Sequence, residues 1–376
     1  MNRILLPWLC TVGFILFSCS TQDSGTTPES NPDFDDTEEI AEEEMQNELY
    51  FPPTGTEDWE TIAPETLGWN LENMEPLLEF LEEKDTKAFI ILKDGKIAME
   101  NYFGTTTANS NQTWNSAGKT LISMTIGIAQ AELFLSITEP SSTYLGNGWS
   151  TLSPAQENAI SIRNHLTMTT GLDYTVENNF CTDRECFDYL NSPGDFWFYH
   201  QGAFTLLENI ITNAVGTDFE TYFNEKIKEK IGMQGSFVKL GFSNFYFSNA
   251  RSMAKYGLLH LSKGIWDGVP ILSDTNYFDE MTTSSQPLNP SYGYLYWLNG
   301  KDTYRIPDSE ALYPGKLIPS APNDMYAGLG GNDQKLYIVP SLNMVIVRMG
   351  NDASDTNLGP SSFDDELWQR INLLIQ

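Results

Sequence analysis

The sequence is poor in histidine, in cysteine and in positive charge. Its 376 residues hold three histidines, His165, His200 and His260, and four cysteines. No H-x-H, H-x-x-x-H or C-x-x-C spacing occurs, so a transition-metal site built by the protein is unsupported. Lysine and arginine number 21 against 51 aspartates and glutamates, a formal charge of −30. A surface that acidic repels phosphate backbones, which excludes nucleic acid as an expected partner. G-x-S-x-G is missing, and with it the strand-elbow type of serine hydrolase. What is present is ordinary: 40% hydrophobic, 12% aromatic and 19% charged residues. That excludes a chain disordered throughout and fits one large domain or two.

The charge is uneven. Between Ser20 and Glu60 stand fourteen acids and no lysine or arginine, with Pro28, Pro32, Pro52 and Pro53 and a Glu42-Glu43-Glu44 run. After residue 60 the balance is 37 acids to 20 bases. Residues 20–60 therefore read as an acidic, solvated tether. Ahead of it, Met1-Asn2-Arg3 precedes an apolar run of fourteen, Ile4 to Phe17. Spanning a bilayer takes about 20 residues, so the run fits a signal-peptide core instead. Leu16-Phe17-Ser18-Cys19 resembles the lipobox of bacterial lipoproteins, in which the cysteine carries the lipid. Phe17 departs from the small residue usual there. Cys10 leaves with the signal, so Cys181 and Cys186 remain, either as a small-loop disulfide of an oxidising compartment or as two free thiols. Neither state is catalytic.

Along the folded part, Ala88–Leu92 and Ile97–Phe103 flank Asp94-Gly95 and predict a β-hairpin. A second is predicted from Lys335–Val339 and Met344–Met349 around Pro340-Ser341. Phe363, Leu367, Ile371 and Leu374 follow helical spacing and predict a terminal helix over 361–376 that covers a sheet. The stretches between are mainly helical: 116–133, 162–168, 203–214 and 250–261. Strands at both ends around a helical middle predict an α+β fold, one antiparallel sheet built from both termini with an inserted helical subdomain at about 116–270.

One route to an activated serine remains, S-x-x-K on a helix, where residues three apart share a face. Three matches occur: Ser116/Lys119, Ser236/Lys239 and Ser252/Lys255. Ser236-Phe-Val-Lys239 alternates like a strand, which would send its two ends to opposite faces. Ser252 opens an amphipathic helix whose charged end can face water. Ser116-Ala-Gly-Lys119 opens the uncharged run Thr120–Ala131, and a helix apolar all round is buried. Lys119 would then sit desolvated in the first turn, where its pKa falls and it can take the serine's proton. Gly118-Lys119-Thr120 also ends like a phosphate-binding P-loop, but Thr113 stands where that motif needs glycine.

Ser116-x-x-Lys119, then Ile162-Arg-Asn-His165-Leu-Thr-Met-Thr-Thr-Gly171-Leu172, then Pro193-Gly194-Asp-Phe196-Trp-Phe-Tyr199-His-Gln201, resemble the serine β-lactamase and penicillin-binding-protein superfamily, class C and esterase branch. Tyr292-Gly293-Tyr294-Leu-Tyr-Trp297 and Gly328-Leu-Gly330-Gly331 continue in that order over residues 85–376. The resemblance implies a β-lactamase-like fold with Ser116 as the acylated nucleophile and Lys119 as its proton partner. The family's Y-x-N element has literal matches at Tyr189-Leu-Asn191 and Tyr222-Phe-Asn224. The flanking pattern instead selects Tyr199-His200-Gln201, with Tyr199 as general acid/base and Gln201 in place of asparagine. Gly328-Leu329-Gly330 takes the third element's place without its usual Lys or His, as in esterase-like members. Gly328 and Gly330 would let that strand approach substrate, and the amides of Gly331 and Ser116 would form an oxyanion hole. Trp297 and Tyr294 would wall the cleft or fill the core, and His165 would be structural.

The expected organisation is a signal peptide over 1–19, a tether over 20–60 and a hydrolase domain over 61–376. The expected activity is cleavage of a small ester, amide or peptide, with no metal or organic cofactor implied. Contact with the membrane would be through the Cys19 anchor alone, in the bacterial cell envelope. A peptidoglycan-directed peptidase or weak penicillin binder, and a catalytically silent binding lipoprotein, are the alternatives.

Overall fold

A computed structural model describes residues 49–354, 356 and 359–376. The signal segment with Cys10 and Cys19, and the tether up to residue 48, lie outside the described residues. Helix α1 (Met74–Glu83) leads into strand β1 (Thr86–Lys93), and the chain returns as β2 (Lys96–Tyr102). Asp94 and Gly95 between them have φ of 51° and 82°. Two positive φ values are what a type I′ hairpin turn requires, which is why an Asp-Gly pair stands there. Next come β3 (Gln112–Thr113), α2 (Lys119–Ala131), α3 (Ile162–Leu166) and α4 (Gln201–Val215). Strands β4 (Ser236–Leu240) and β5 (Ser243–Ser248) are followed by α5 (Ala250–Leu261). The chain closes with β6 (Trp297–Leu298), β7 (Tyr326–Gly330), β8 (Gln334–Val339), β9 (Met344–Gly350) and α6 (Ser362–Ile375).

The main sheet is antiparallel in the order β2-β1-β9-β8-β7-β6, so both ends of the chain do build it. Helices cover both faces. Tyr337 of β8 meets Trp368 of α6 with ring centroids 5.7 Å apart. Its neighbour Leu336 points to α5, where a Cβ on Gly257 would lie 2.9 Å from Leu336 Cδ1 and 2.4 Å from Val345 Cγ1. Alternate residues thus enter opposite layers and all of β8 and β9 is buried, so Leu336–Val339 and Met344–Val347 read as apolar runs, with Lys335 and Arg348 buried beside them.

Three expectations are corrected. Helix α5 packs on the main sheet and is not part of an inserted helical unit. Around the insertion lies a second sheet, β3-β5-β4, because Phe237 and the aromatic run Phe245-Tyr246-Phe247 suit strands. The tether ends earlier than residue 60. Tyr50 N donates to Asp94 O at 3.0 Å, Trp59 Nε1 to Gly95 O at 2.8 Å, and Phe51 meets Trp266 edge-on. Burying Phe51 and Trp59 offsets the ordering of this otherwise acidic segment. Cys181 and Cys186 are joined in a disulfide, which decides between the two thiol states.

Candidate active site

Helix α2 is buried from Lys119 through Ala129, as its lack of charge predicts. A 3-10 turn, Asn115–Gly118, precedes it and carries Ser116. This turn is held from several sides. Trp114 N donates to Tyr246 O, and Trp114 Nε1 to Ser248 Oγ, both at 2.8 Å. Asn115 takes a φ of 46°, a left-handed conformation that asparagine tolerates, and its Nδ2 donates to Gly331 O at 2.7 Å.

Lys119 projects from the first turn of α2 into the wall of a cavity of about 380 Å³ that Ser116 also lines. Its Nζ lies 3.5 Å from Ser116 Oγ and donates to Gln201 Oε1 at 2.8 Å. The ammonium also stands 4.1 Å over the Phe204 ring. Burial pushes this amine down from 10.5 to about 7, against the opposing pull of the Glu208 carboxylate. Tyr199 is buried too and lines the same cavity. Burial drives the phenol well above its ordinary value, the nearby Ser116 hydroxyl opposing. Ser116, Lys119, Tyr199 and Gln201 therefore meet at one cavity, although 83 residues separate the first from Tyr199 in sequence.

The literal Y-x-N matches lie elsewhere. Tyr189 is exposed, and Tyr222 donates to Glu132 Oε2 at 2.8 Å away from the cavity. The other S-x-x-K pairs are inert in geometry. Ser236 and Lys239 lie on strand β4, as expected. Ser252 Oγ accepts from Gln234 N at 2.9 Å. Lys255, expected to face water, is instead buried and donates to Gly232 O at 2.7 Å, because α5 is covered on this side. His165 is fully buried, with Nδ1 2.7 Å from Ala203 O and its pKa lowered to about 4 by burial.

The third element is placed differently from expectation. Of Gly328, Gly330 and Gly331, only Gly331 lines the cavity. The other two let β7 lie against the Ser116 turn: a Cβ on Gly330 would stand 2.4 Å from Trp114 O and 3.1 Å from Ser116 N. One on Gly328 would stand 3.2 Å from Ala117 O. These glycines thus serve backbone packing and do not face substrate. Gly330→Ala is expected to push the turn aside, with a stability loss of about 1–3 kcal/mol and a larger fall in turnover, read by thermal melting and ester hydrolysis. Trp297 does not line the cavity either. It stacks behind Tyr199, centroids 5.9 Å apart and 22° between planes, and so fixes the phenol ring.

Several cavity residues had no sequence signal. Asn179 Oδ1 accepts from Gln201 N at 3.2 Å, and Asn179 O accepts from Gly202 N at 2.7 Å. The disulfide loop reaches α4 because residue 202 is glycine; a Cβ there would lie 2.3 Å from Cys181 O. Glu208, two turns along α4 from Gln201, is 7% exposed and reaches the same cavity. Burial raises its carboxyl to about 7 despite the bond from Asn244. Phe237 and Phe245 add aromatic wall.

The sequence profile of the beta-lactamase family matches residues 81–363. The chain belongs to the beta-lactamase family. Solved structures share the fold at low identity. A candidate 6-aminohexanoate-dimer hydrolase from Bacillus anthracis is 19% identical, with a TM-score of 0.66 over 86% of this chain and 88% of that one. A candidate beta-lactamase from Bacteroides dorei is 15% identical, with a TM-score of 0.65 over 82% and 99%. The octameric penicillin-binding protein homologue from Pyrococcus abyssi is 16% identical, with a TM-score of 0.57 over 80% and 76%. Among curated proteins, none matches this sequence. The β-lactamase fold thus accounts for the mixed layers around the sheet and for the Ser116 turn at the head of a buried helix.

Proposed function

We propose that this protein is an exported serine hydrolase that cleaves an ester or amide through an acyl-enzyme on Ser116. One observation carries the reading: a buried amine, Lys119, lies 3.5 Å from the Ser116 hydroxyl with its pKa lowered to about 7. Near neutral pH a large share of it is unprotonated and able to act as a base. Lys119 takes the Ser116 proton as Oγ bonds to the substrate carbonyl carbon, and the carbonyl electrons move to oxygen. The amides of Ser116 and Gly331 would hold that oxyanion. When the carbonyl re-forms, the bond to the leaving group breaks, and the Tyr199 phenol, kept protonated by burial, supplies the leaving group's proton. Lys119 restores the phenol. Water then attacks the acyl-enzyme by the reverse relay, releasing an acid and Ser116.

The cavity favours the esterase-like branch over penicillin chemistry. Lys119 is the only lysine or arginine among the described residues that line it. A β-lactam or peptide carboxylate therefore forgoes a charge-assisted partner, a loss of about 1.5–3 kcal/mol. The apolar N-terminal run and Cys19 support delivery to the cell envelope on a lipid anchor, with the acidic segment as tether. The test compares p-nitrophenyl butyrate with a chromogenic cephalosporin. The expected kcat/KM ratio favours the ester by about tenfold to a hundredfold. Equal or faster cephalosporin turnover overturns the branch assignment, and stable labelling by a fluorescent penicillin without ester turnover favours the peptidase reading.

A further inference from the structure

The β7–β8 turn that brings Gly331 to the cavity runs against ordinary backbone preference. Gly330 pairs with Gln334, so Gly331, Asn332 and Asp333 form the loop. Asn332 and Asp333 take φ of 58° and 51°, two left-handed residues in succession, neither a glycine. The fold holds them from behind. Buried Arg348 donates through Nη1 to Asn332 O and Asp333 O, both at 3.0 Å. Asp333 Oδ2 accepts from Ala353 N at 2.9 Å, and Lys335 Nζ pairs with Oδ1 at 3.0 Å. None of these bonds reaches Gly331, which has no side chain to fix its own backbone.

That part falls to Asn115, the residue before the serine. Thr113 Oγ1 accepts from Asn115 N at 3.1 Å and donates its proton to Asn115 Oδ1 at 3.0 Å. The oxygen end of the amide is thereby committed, and Nδ2 turns to Gly331 O at 2.7 Å. Next to this contact, Gly330 lets β7 close on the serine's amide, where a Cβ would stand 3.1 Å from Ser116 N. One side chain thus ties together the two segments that carry the Ser116 and Gly331 amides.

Resting on the serine-hydrolase reading, we propose that Asn115 is a positioning residue that sets the Gly331 amide relative to the Ser116 amide, and with it the strength of the oxyanion hole. A misplaced donor still admits a flat ester carbonyl but stabilises the tetrahedral oxyanion less. The loss therefore falls on kcat and not on KM.

The test is Asn115→Gly, which tolerates the left-handed φ of 46° and deletes only the side chain. Trp114 still ties the turn to Tyr246 and Ser248, so the protein is expected to fold. With p-nitrophenyl butyrate, kcat is expected to fall about 10–100-fold while KM stays within about twofold. The second probe is propyl trifluoromethyl ketone. Ser116 Oγ bonds to its carbonyl carbon, the carbonyl electrons move to oxygen, and Lys119 takes the serine proton. Its inhibition constant is expected to rise in proportion to the fall in kcat/KM, because the adduct's oxyanion occupies the hole. A loss of stability alone changes neither quantity per folded molecule. Thr113→Val removes the hydroxyl that orients the amide, in a residue that suits strand β3, and decides the matter if glycine unsettles the turn. Its kcat is expected to fall about threefold to tenfold, again at constant KM. Unchanged kcat in the folded variants, or a raised KM at unchanged kcat, overturns the positioning role and leaves the hydrolase standing. A wild type that neither turns over butyrate nor is inhibited by the ketone overturns the hydrolase reading beneath it.

Discussion

Ser116→Ala is expected to remove ester hydrolysis by at least about 10³-fold and to abolish the mass adduct formed by a fluorophosphonate probe. The substitution deletes one hydroxyl from a turn whose position is set by other groups. Trp114 is tied to Tyr246 and Ser248, and Asn115 to Gly331, so the fold is expected to persist. Thermal melting checks this directly. Ser252→Ala is the matched control, since Ser252 also begins an S-x-x-K on a helix. Its hydroxyl accepts from Gln234 N and its lysine is bound to Gly232 O, so it has no base at hand. That variant is expected to lose a little stability, about 1 kcal/mol for one hydrogen bond, and to keep activity and adduct. Labelling that survives in Ser116→Ala, or vanishes in Ser252→Ala, would place the nucleophile elsewhere.

Such a control was available from the sequence because the two helices differ in charge pattern as strings of residues. Thr120–Ala131 has no charge, and burial on every side follows from that alone. Hairpins were legible for a similar reason: Asp94-Gly95 and Pro340-Ser341 are punctuation between β-branched runs. Tyr199 was reachable through flanking residues, whereas spacing by itself pointed equally to Tyr189 and Tyr222.

What spacing cannot supply is the shape left between layers. Glu208 follows Leu206-Leu207 in the manner of a charged residue on a wet helix face, and only the approach of β4 and β5 turns that face inward. Asn179 sits in a loop with no periodicity, placed by the disulfide and by the missing Cβ of Gly202. Gly328 and Gly330 were legible as close-approach positions but not for what approaches them. Residues 49–60 read as tether by composition because their acidity outweighs two aromatic anchors, Phe51 and Trp59.

Lys119→Met is expected to abolish turnover, by about 10²–10⁴-fold, while making the protein more stable. The two effects share one cause. Methionine matches the lysine stem in length and adapts to irregular walls, so packing against Phe204 is kept. It also removes an amine whose burial the fold resists. In the unfolded chain that amine titrates near 10.5, and in the folded protein near 7. Between those values the unfolded state binds more protons, so wild-type stability rises with pH across the window. The cost of burial is present in full below pH 7 and vanishes above 10.5. Chemical denaturation should therefore show Lys119→Met ahead of wild type at pH 7, with the gap narrowing steadily as pH rises. Wild-type kcat/KM should follow the same amine in the other observable, falling tenfold per unit on the acid side of a midpoint near 7. The alkaline side stays level because burial keeps the Tyr199 phenol protonated far above its ordinary range. A flat profile through neutrality, or a methionine variant less stable than wild type at pH 7, would mean that Lys119 is charged in the folded protein. It would then be holding Gln201 and an anionic partner in place, not accepting the serine's proton.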